Sequence, residues 1–234
     1  IPGMRGKQKS RSIADIVEEA QQLQSWGIKE ISLIAQDLTF FGREKDGKES
    51  LEQLLHALIS HTDIPWIRMM YGYPAYLTEG LIDVMANEKR ICKYMDIPIQ
   101  HASQPMLKAM RRNYTAEQLR EGLTRMRDAI PGLALRTTAL LGYPGETDQD
   151  VDDLMGFLED MRFRHLGCFS YSDEEGTHAF DLHPKVLRRR FPRDEDPPAV
   201  FRPFQDQIVS GLRLERQDEV EGRVKTQPGL IKRA

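Results

Sequence analysis

The chain has 234 residues, 40% of them hydrophobic, which is enough for one substantial core with or without a small appendage. A formal net charge of −3 at pH 7 excludes a globally basic surface of the kind used for bulk binding of nucleic acid. No run of about 18 apolar residues is present, so the sequence predicts no membrane span.

The sequence contains two cysteines, Cys92 and Cys168. Thiols so far apart do not form the disulfide framework of a secreted protein, and no secretory signal opens the chain, so we expect a reducing, cytoplasmic location. Two thiols are also fewer than the three or four that an iron–sulfur cluster needs. We expect both to be buried and unreactive. Because the chain opens on Ile1 and not on Met, we expect that more sequence precedes it.

Hydrophobic periodicity predicts alternating helices and strands over residues 1–182. Strands that recur about every 30–40 residues, with helices between them, indicate parallel right-handed crossovers. Periodicity alone does not choose between a partial or full barrel and a doubly wound sheet, and in either case a site is expected at the carboxyl ends of the strands. The predicted helices cover 13–26, 51–59, 77–85, 105–112, 116–129 and 148–162, and the predicted strands cover 30–35, 66–71, 94–99, 133–141 and 166–171.

Residues 183–234 differ in character from the rest of the chain. They contain repeated prolines, which interrupt regular elements, and twelve Lys and Arg against eight Asp and Glu. An amphipathic helix is possible over about 204–214. We therefore expect a core domain over 1–182 and a divergent or disordered tail over 183–234.

Polar residues follow several of the predicted strands. Gln36 and Asp37 come directly after the first strand, where they either face a polar ligand or cap a solvated loop. Gln100 and His101 follow the third strand, although a lone histidine is more often structural. Arg112, on the short helix after it, either clamps a carboxylate or belongs to a solvated basic face.

The fourth and fifth strands also end in polar segments. Residues 142–147 (GYPGET) place Gly142, which lets backbone approach a ligand closely, before Thr147, which is predicted to cap the next helix. Asp150 would complete a capping box with Thr147. A plain strand-to-helix turn explains this segment equally well. The fifth strand leads to Tyr171 and Ser172 and then to two adjacent acids, Glu174 and Glu175.

Together these segments resemble the radical S-adenosylmethionine methylthiotransferases, and among them the RimO-type branch that modifies ribosomal protein S12. The residues Ala35, Gln36 and Asp37 are typical of that branch, whereas the branch that modifies tRNA usually has Gly-Gln-Asn at this position. The resemblance is ordered and collinear from residue 1 to about residue 182. The matching segments are 1–11, 30–37 with 41–42, 73–74, 92–98, 100–103, 110–112, 135–138, 142–147 and 169–177.

The resemblance implies an α/β fold, a partial (βα)6 radical-SAM barrel of the TIM-like kind, whose first strand is missing from this chain. It implies insertion of a methylthio group at the β-carbon of an aspartate of ribosomal protein S12. The implied cofactors are S-adenosylmethionine and 4Fe-4S clusters, whose cysteine ligands are absent from this chain. We expect a monomer outside the membrane that meets S12 as its protein partner, and nucleic acid only through the ribosome.

The resemblance also implies which residues surround the cofactor. It places the methionine end at Gln36, Asp37 and Arg112. It places the ribose or adenine at Thr138, Gly142 and Glu146. The floor and far wall of the pocket fall at Gln100, His101, Tyr171 and Ser172, and no residue is assigned to a metal.

Three departures from the family pattern leave alternatives open. The chain has no CxxxCxxC loop, no long amphipathic helix after residue 177 and no room for a C-terminal substrate-binding β-barrel. We therefore expect this polypeptide by itself to be inactive, and a non-catalytic barrel that only binds a partner is one alternative. A tRNA methylthiotransferase of the same family is a second. An unrelated barrel with acid–base chemistry at Glu174 or Glu175 is a third.

Overall fold

The computed structural model describes residues 6, 8–45, 47–182 and 184. The predicted alternation of strands and helices is confirmed, and all five predicted strands are present. The strands are β1 (Glu30–Ile34), β2 (Trp66–Met70), β3 (Tyr94–Asp96), β4 (Ala134–Leu141) and β5 (His165–Ser170). The helices are α1 (Ile13–Ser25), α2 (Leu51–His61), α3 (Glu79–Asn87), α4 (Gln104–Ala109), α5 (Ala116–Ala129) and α6 (Asp148–Met161), with short 3-10 turns at Leu38–Phe40, Arg43–Lys45 and Pro74–Tyr76.

Side-chain caps fix where the helices begin. The predicted capping box of α6 is present: the Thr147 hydroxyl accepts from the backbone N–H of Asp150, and the Asp150 carboxylate accepts from the backbone N–H of Thr147. Thr115 and Gln118 form the same reciprocal arrangement at the start of α5. Each cap satisfies backbone donors that have no partner within the helix.

All five strands are parallel and follow one another in chain order. β1 pairs with β2, and β3 pairs with β4, which pairs with β5. A bridge between Ile67 and Ile91, and a 2.8 Å hydrogen bond from the Gly72 N–H to the Asp96 carbonyl, join the two groups. A doubly wound sheet needs a reversal of strand order, and no reversal occurs within the described part of the chain. The order is that of a barrel wall, which decides the alternative that periodicity left open.

The two faces of the sheet differ in burial. On β4, Leu135, Thr137, Ala139 and Leu141 are buried in the core against the helices, while the alternate residues are half-buried. We call the second face the open face, and in a barrel it is the interior. The strand register places on it Glu30, Ser32, Ile34, Trp66, Arg68, Met70, Tyr94, Asp96, Arg136, Thr138, Leu140, His165, Gly167 and Phe169.

Two predicted elements end three residues earlier than the sequence indicated. The third strand stops at Asp96 and rejoins β4 only through a bridge between Gln100 and Ala139, because Pro98 has no N–H to donate to a ladder. Helix α4 stops at Ala109, so Arg112 lies in the turn after the helix and not on it. No helix within the described residues is long and apolar enough to cross a membrane. The predicted helix over about 204–214 lies outside the described residues.

Candidate functional site

The five strands end at a common rim, because they are parallel and in sequential order. Hydrogen bonds tie the segments that follow neighbouring strands to one another. The Leu38 N–H donates to the Tyr71 carbonyl at 2.9 Å, and the Gln100 N–H donates to the Thr138 carbonyl at 2.8 Å. The Tyr171 N–H donates to the Leu141 carbonyl at 2.7 Å. The segments that carry the predicted site residues therefore lie along one edge of the sheet.

Three successive strands leave the sheet through a residue with left-handed backbone. Tyr71 after β2 has φ 63°, Gln100 after β3 has φ 67° and Gly142 after β4 has φ 75°. For Tyr and Gln this conformation costs on the order of 1 kcal/mol or more, and such strain concentrates at functional sites. The exposed Tyr71 was not predicted as a site residue. In the sequence, Tyr71 is only a tyrosine at the end of a buried strand, and this position does not reveal its backbone angle.

The end of β1 presents one exposed and one half-buried polar side chain. Gln36 is exposed. Asp37 caps the following 3-10 turn, because its Oδ1 accepts from the Thr39 hydroxyl at 2.5 Å and from the Phe40 N–H at 3.2 Å. Burial raises the pKa of the Asp37 carboxyl, and these hydrogen bonds oppose the rise in part. The structure thus gives Asp37 a local capping role in addition to its place at the rim.

His101 and Glu146 form a buried pair behind the rim. Nδ1 of His101 accepts from the backbone N–H groups of Ala102 and Ser103, both at 3.0 Å, so Nε2 is the protonated nitrogen of the neutral ring. That nitrogen lies 3.4 Å from Glu146 Oε1 without the geometry of a hydrogen bond, and the other carboxylate oxygen accepts from the Gly142 N–H at 2.9 Å. His101 is fully buried, so it supports the 142–147 turn and does not line a surface that a ligand reaches.

Arg112 carries an unsatisfied buried donor. Its Nε is buried and has no hydrogen-bond partner within the described part of the chain. Its guanidinium carbon lies 6.0 Å from the centroid of the Tyr73 ring, whose hydroxyl accepts from the Asn113 N–H at 3.1 Å. A buried guanidinium donor that lacks a partner is costly and is suited to a carboxylate ligand.

The last two strands contribute a hydroxyl and a pair of aromatic rings. Thr138 is half-buried on the open face of β4. The Tyr143 and Tyr171 rings meet edge to face at 5.3 Å, and the Tyr143 hydroxyl donates to the Ala109 carbonyl at 3.2 Å. Ser172 is exposed, as are the adjacent acids at 174 and 175.

Both cysteines are half-buried, and their surroundings disfavour the thiolate. Burial raises the pKa of the Cys92 thiol. Burial, with a smaller contribution from the charge of Glu146, raises the pKa of Cys168 to about 12. Among residues 6, 8–45, 47–182 and 184 there is no group of three or more His, Cys, Asp or Glu that could hold a metal ion. The described residues therefore do not fit a 4Fe-4S cluster.

A barrel-ordered parallel sheet with polar and aromatic groups along its carboxyl rim defines an α/β protein of the TIM-like class. A profile of the Radical SAM superfamily matches residues 1–158. The chain belongs to the radical SAM superfamily.

The sequence relatives agree with the branch indicated by the motifs. The chain is 46% identical to the ribosomal protein uS12 methylthiotransferase RimO of Myxococcus xanthus over 193 residues, which are 82% of this chain and 40% of that protein. It is 46% identical to the RimO of Geobacter sulfurreducens over 189 residues, with 81% and 42% covered. The resemblance to this branch is confirmed, and the chain spans less than half the length of these curated relatives.

Solved structures show the same fold at low sequence identity. The radical S-adenosylmethionine methyltransferase TsrM of Kitasatospora setae, solved with cobalamin and a 4Fe-4S cluster bound, matches with a TM-score of 0.55 at 19% identity, covering 70% of this chain and 31% of that chain. The radical SAM enzyme HemN of Escherichia coli, a coproporphyrinogen III oxidase, matches with a TM-score of 0.51 at 12% identity, covering 72% and 40%. These likenesses confirm the radical SAM barrel fold and nothing finer.

Proposed function

We propose that this chain is the core of a methylthiotransferase that modifies the β-carbon of an aspartate in ribosomal protein uS12. The observation that carries the proposal is the 46% identity to a RimO protein over 193 residues, which are 82% of this chain. The Ala35-Gln36-Asp37 segment at the end of β1 favours the ribosomal branch over the tRNA branch.

The described residues suit the organic cofactor better than the metal centre. S-adenosylmethionine has a zwitterionic methionine end, which needs a cation and an acceptor, and an adenosine, which needs a close backbone edge. Arg112 carries a buried guanidinium donor for the carboxylate, while Gln36 and Asp37 supply acceptors for the amino group. When bound, S-adenosylmethionine would supply the chemistry that abstracts hydrogen from the substrate. The described residues do not fit a 4Fe-4S cluster.

The remaining rim residues would enclose the adenosine. Thr138 would offer a hydroxyl from the open face of β4. Gly142 has no side chain, so the backbone of the turn can approach the ligand closely. Gln100, which follows β3, would form the floor of the cofactor pocket. Tyr171 and Ser172 would form its far wall. The 142–147 turn keeps its shape because Glu146 accepts from the Gly142 N–H and is backed by the buried His101. A closed, dry wall protects a reactive carbon from side reactions with water.

The proposal extends to the setting in which the protein works. We place it in the cytoplasm as a monomer, with uS12 as its protein substrate and contact with nucleic acid only through the ribosome. Two unpaired, half-buried thiols support a reducing compartment.

A reconstitution experiment tests the proposed reaction. The complete reading frame would be expressed, loaded anaerobically with iron and sulfide, and incubated with reductant, S-adenosylmethionine and either uS12 or total tRNA. We expect mass spectrometry to show one methylthio group on an aspartate of uS12 and none on tRNA. A methylthio group on tRNA alone would move the protein to the other branch. Cofactor binding without modification of either substrate would favour the non-catalytic alternative.

A further inference from the structure

Two cross-strand ion pairs occupy the open face of the sheet. Arg68 Nε on β2 lies 2.5 Å from Glu30 Oε1 on β1, and the Arg68 guanidinium also covers the Tyr94 ring at 5.1 Å. Arg136 Nη1 on β4 lies 2.6 Å from Asp96 Oδ2 on β3. Within the described residues each guanidinium donates to one carboxylate only, and the Tyr94 ring covers the face of Arg68.

The second edge of Arg136 faces a glycine. Gly167 on β5 is in register with Thr138, and a Cβ atom built on it would lie 3.5 Å from Arg136 Nη2 and 3.3 Å from Thr138 Oγ1. The same atom would lie 3.5 Å from Cε2 of Phe169, which is 37% exposed. A guanidinium edge, a hydroxyl and a ring edge thus already lie at van der Waals contact with that position, so the glycine lets Arg136 and Thr138 pack against β5 with their remaining donors on the open face. We call these four residues the Gly167 cradle.

The chemistry of the Gly167 cradle selects a carboxylate. Arg136 and Thr138 both present N–H or O–H donors, and a guanidinium edge matches a carboxylate in a bidentate fork. Asp96 is fully buried and holds Nη1, so it fixes the guanidinium with its other edge toward the cradle. The exposed Phe169 ring adds an apolar wall, which suits a carboxylate carried on a short methylene side chain.

The Gly167 cradle lies deeper in the barrel than the rim. Arg136 precedes Gly142 by six residues, so it lies about 20 Å below the turn at a rise of about 3.3 Å per residue. All the proposed cofactor residues except Thr138 lie in the segments after the strands. Thr138, on β4, belongs both to the proposed adenosine wall and to the cradle, so the cradle adjoins the adenosine. A ligand in the cradle therefore approaches from the interior of the barrel and from beneath the rim.

We propose that the Gly167 cradle binds the side-chain carboxylate of the aspartate to be modified, with Arg136 as the specificity-determining residue. This inference rests on the proposed function, because it assigns a place to that substrate. In an aspartate the reacting β-carbon is bonded directly to the carboxyl carbon. A bidentate grip on the carboxylate consequently holds the reacting carbon in one position, and position is a large part of what a catalyst supplies.

Direct binding measurements test the assignment without relying on turnover. The complete protein, reconstituted with iron and sulfide, would be titrated with fluorescent uS12 peptides that carry either the target aspartate or asparagine in its place. Binding of S-adenosylmethionine would be measured separately by equilibrium dialysis. The variants are Arg136→Gln, Arg136→Lys and Gly167→Ala, of which Gly167→Ala leaves the pair with Asp96 intact.

Two variants serve as matched controls. Arg68→Gln breaks the more exposed pair with Glu30 on the same face, and Gly156→Ala adds a methyl group where no atom other than the adjacent helix backbone lies within 4 Å. We expect all three cradle variants to lower affinity for the aspartate peptide, by about tenfold for Arg136→Gln since a charge-assisted fork is lost. For the Arg136 variants, affinity for the asparagine peptide and for S-adenosylmethionine should stay within about twofold of wild type, and both controls should bind all three ligands as wild type does.

Three outcomes would overturn the assignment in different ways. If Arg136→Lys and Gly167→Ala bind the aspartate peptide like wild type, the cradle does not hold the substrate. If the Arg136 variants lose S-adenosylmethionine and keep the peptide, the cradle holds the cofactor. If the wild type neither prefers the aspartate peptide nor modifies uS12, the proposed function itself has failed, and this result is distinct because it appears before any substitution is made.

Discussion

Nε2 of His101 lies 3.4 Å from Oε1 of Glu146, at a place where the two side chains are 0% and 2% exposed. The two residues are 45 positions apart in sequence and connect the segment after β3 to the turn after β4. Because the second oxygen of Glu146 accepts from the Gly142 N–H, the pair fixes the backbone of that turn from behind. The rim at this point is thus shaped by a buried polar contact.

Replacing Glu146 with Gln should destabilise the protein. The amide keeps an oxygen for the Gly142 N–H but turns an N–H donor toward the protonated Nε2 of His101, which leaves two buried donors opposed. We expect a loss of about 1–3 kcal/mol in the free energy of unfolding, measured by urea titration. Glu159→Gln, on the exposed side of α6, is the matched control and should change little. Equal stability of the two variants would show that the buried contact contributes nothing.

Replacing Arg112 with Gln should weaken binding of S-adenosylmethionine by about tenfold or more, because a charged donor to its carboxylate is removed. Stability should fall little, since the Arg112 Nε makes no hydrogen bond within the described residues. Equilibrium dialysis of the reconstituted complete protein measures the first effect and thermal unfolding the second. Arg120→Gln, which removes an exposed guanidinium paired with Asp160, is the control. Normal cofactor affinity in Arg112→Gln would remove this residue from the proposed pocket.

Substituting Asp37 should change how stability depends on pH. Burial raises the pKa of Asp37 in the folded protein above its unfolded value, so the folded state binds a proton more readily. Its contribution to stability is therefore largest below the unfolded pKa and declines as pH rises through the raised folded pKa. As pH rises through this range, the free energy of unfolding of the wild type should fall relative to that of Asp37→Asn, which keeps an acceptor for the cap.

Urea titrations at several pH values above about 3.9, the ordinary value for Asp, would measure this difference. Asp128→Asn, at an exposed position on α5, controls for the loss of one charge. A stability difference between wild type and Asp37→Asn that grows in favour of wild type as pH rises would contradict the expected sign.

Two glycines that share a left-handed backbone should respond very differently to alanine. Gly42 has φ 76°, and a Cβ there would lie 2.1 Å from the Glu49 carbonyl oxygen. Gly47 has φ 73° and no atom within 4 Å. Gly47→Ala should cost about 1 kcal/mol from backbone strain alone, while Gly42→Ala should cost about 3 kcal/mol or more because the backbone must also move. Chemical denaturation compares them, and similar losses would mean that the 38–50 loop relaxes freely.

Some features of the site follow from local sequence patterns. The GYPGET segment and Asp150 specify a strand-to-helix turn with a capping box, because a cap depends only on residues three positions apart. The predicted gathering of strand-end residues also rests on the sequence, since the alternation of helices and strands makes the strands parallel and brings their carboxyl ends to one edge. The burial of His101 was not predictable in this way, because it depends on contacts with distant segments. Helix α4 ends before Arg112 in a local turn, in which Arg111 has φ 56° and the Arg112 N–H donates to the Leu107 carbonyl, and no glycine marks this turn in the sequence.

The sequence by itself determined the elements, their caps and the branch of the family, because these depend on residues close together in the chain or on collinear motifs. Only the tertiary structure decided the sequential strand order and the pairs that cross the sheet. Asp96 meets Arg136, and Thr138 meets Gly167, through the register of parallel strands. A two-residue alternation shows which residues share a face of one strand and contains no information on which residue of the next strand lies beside them.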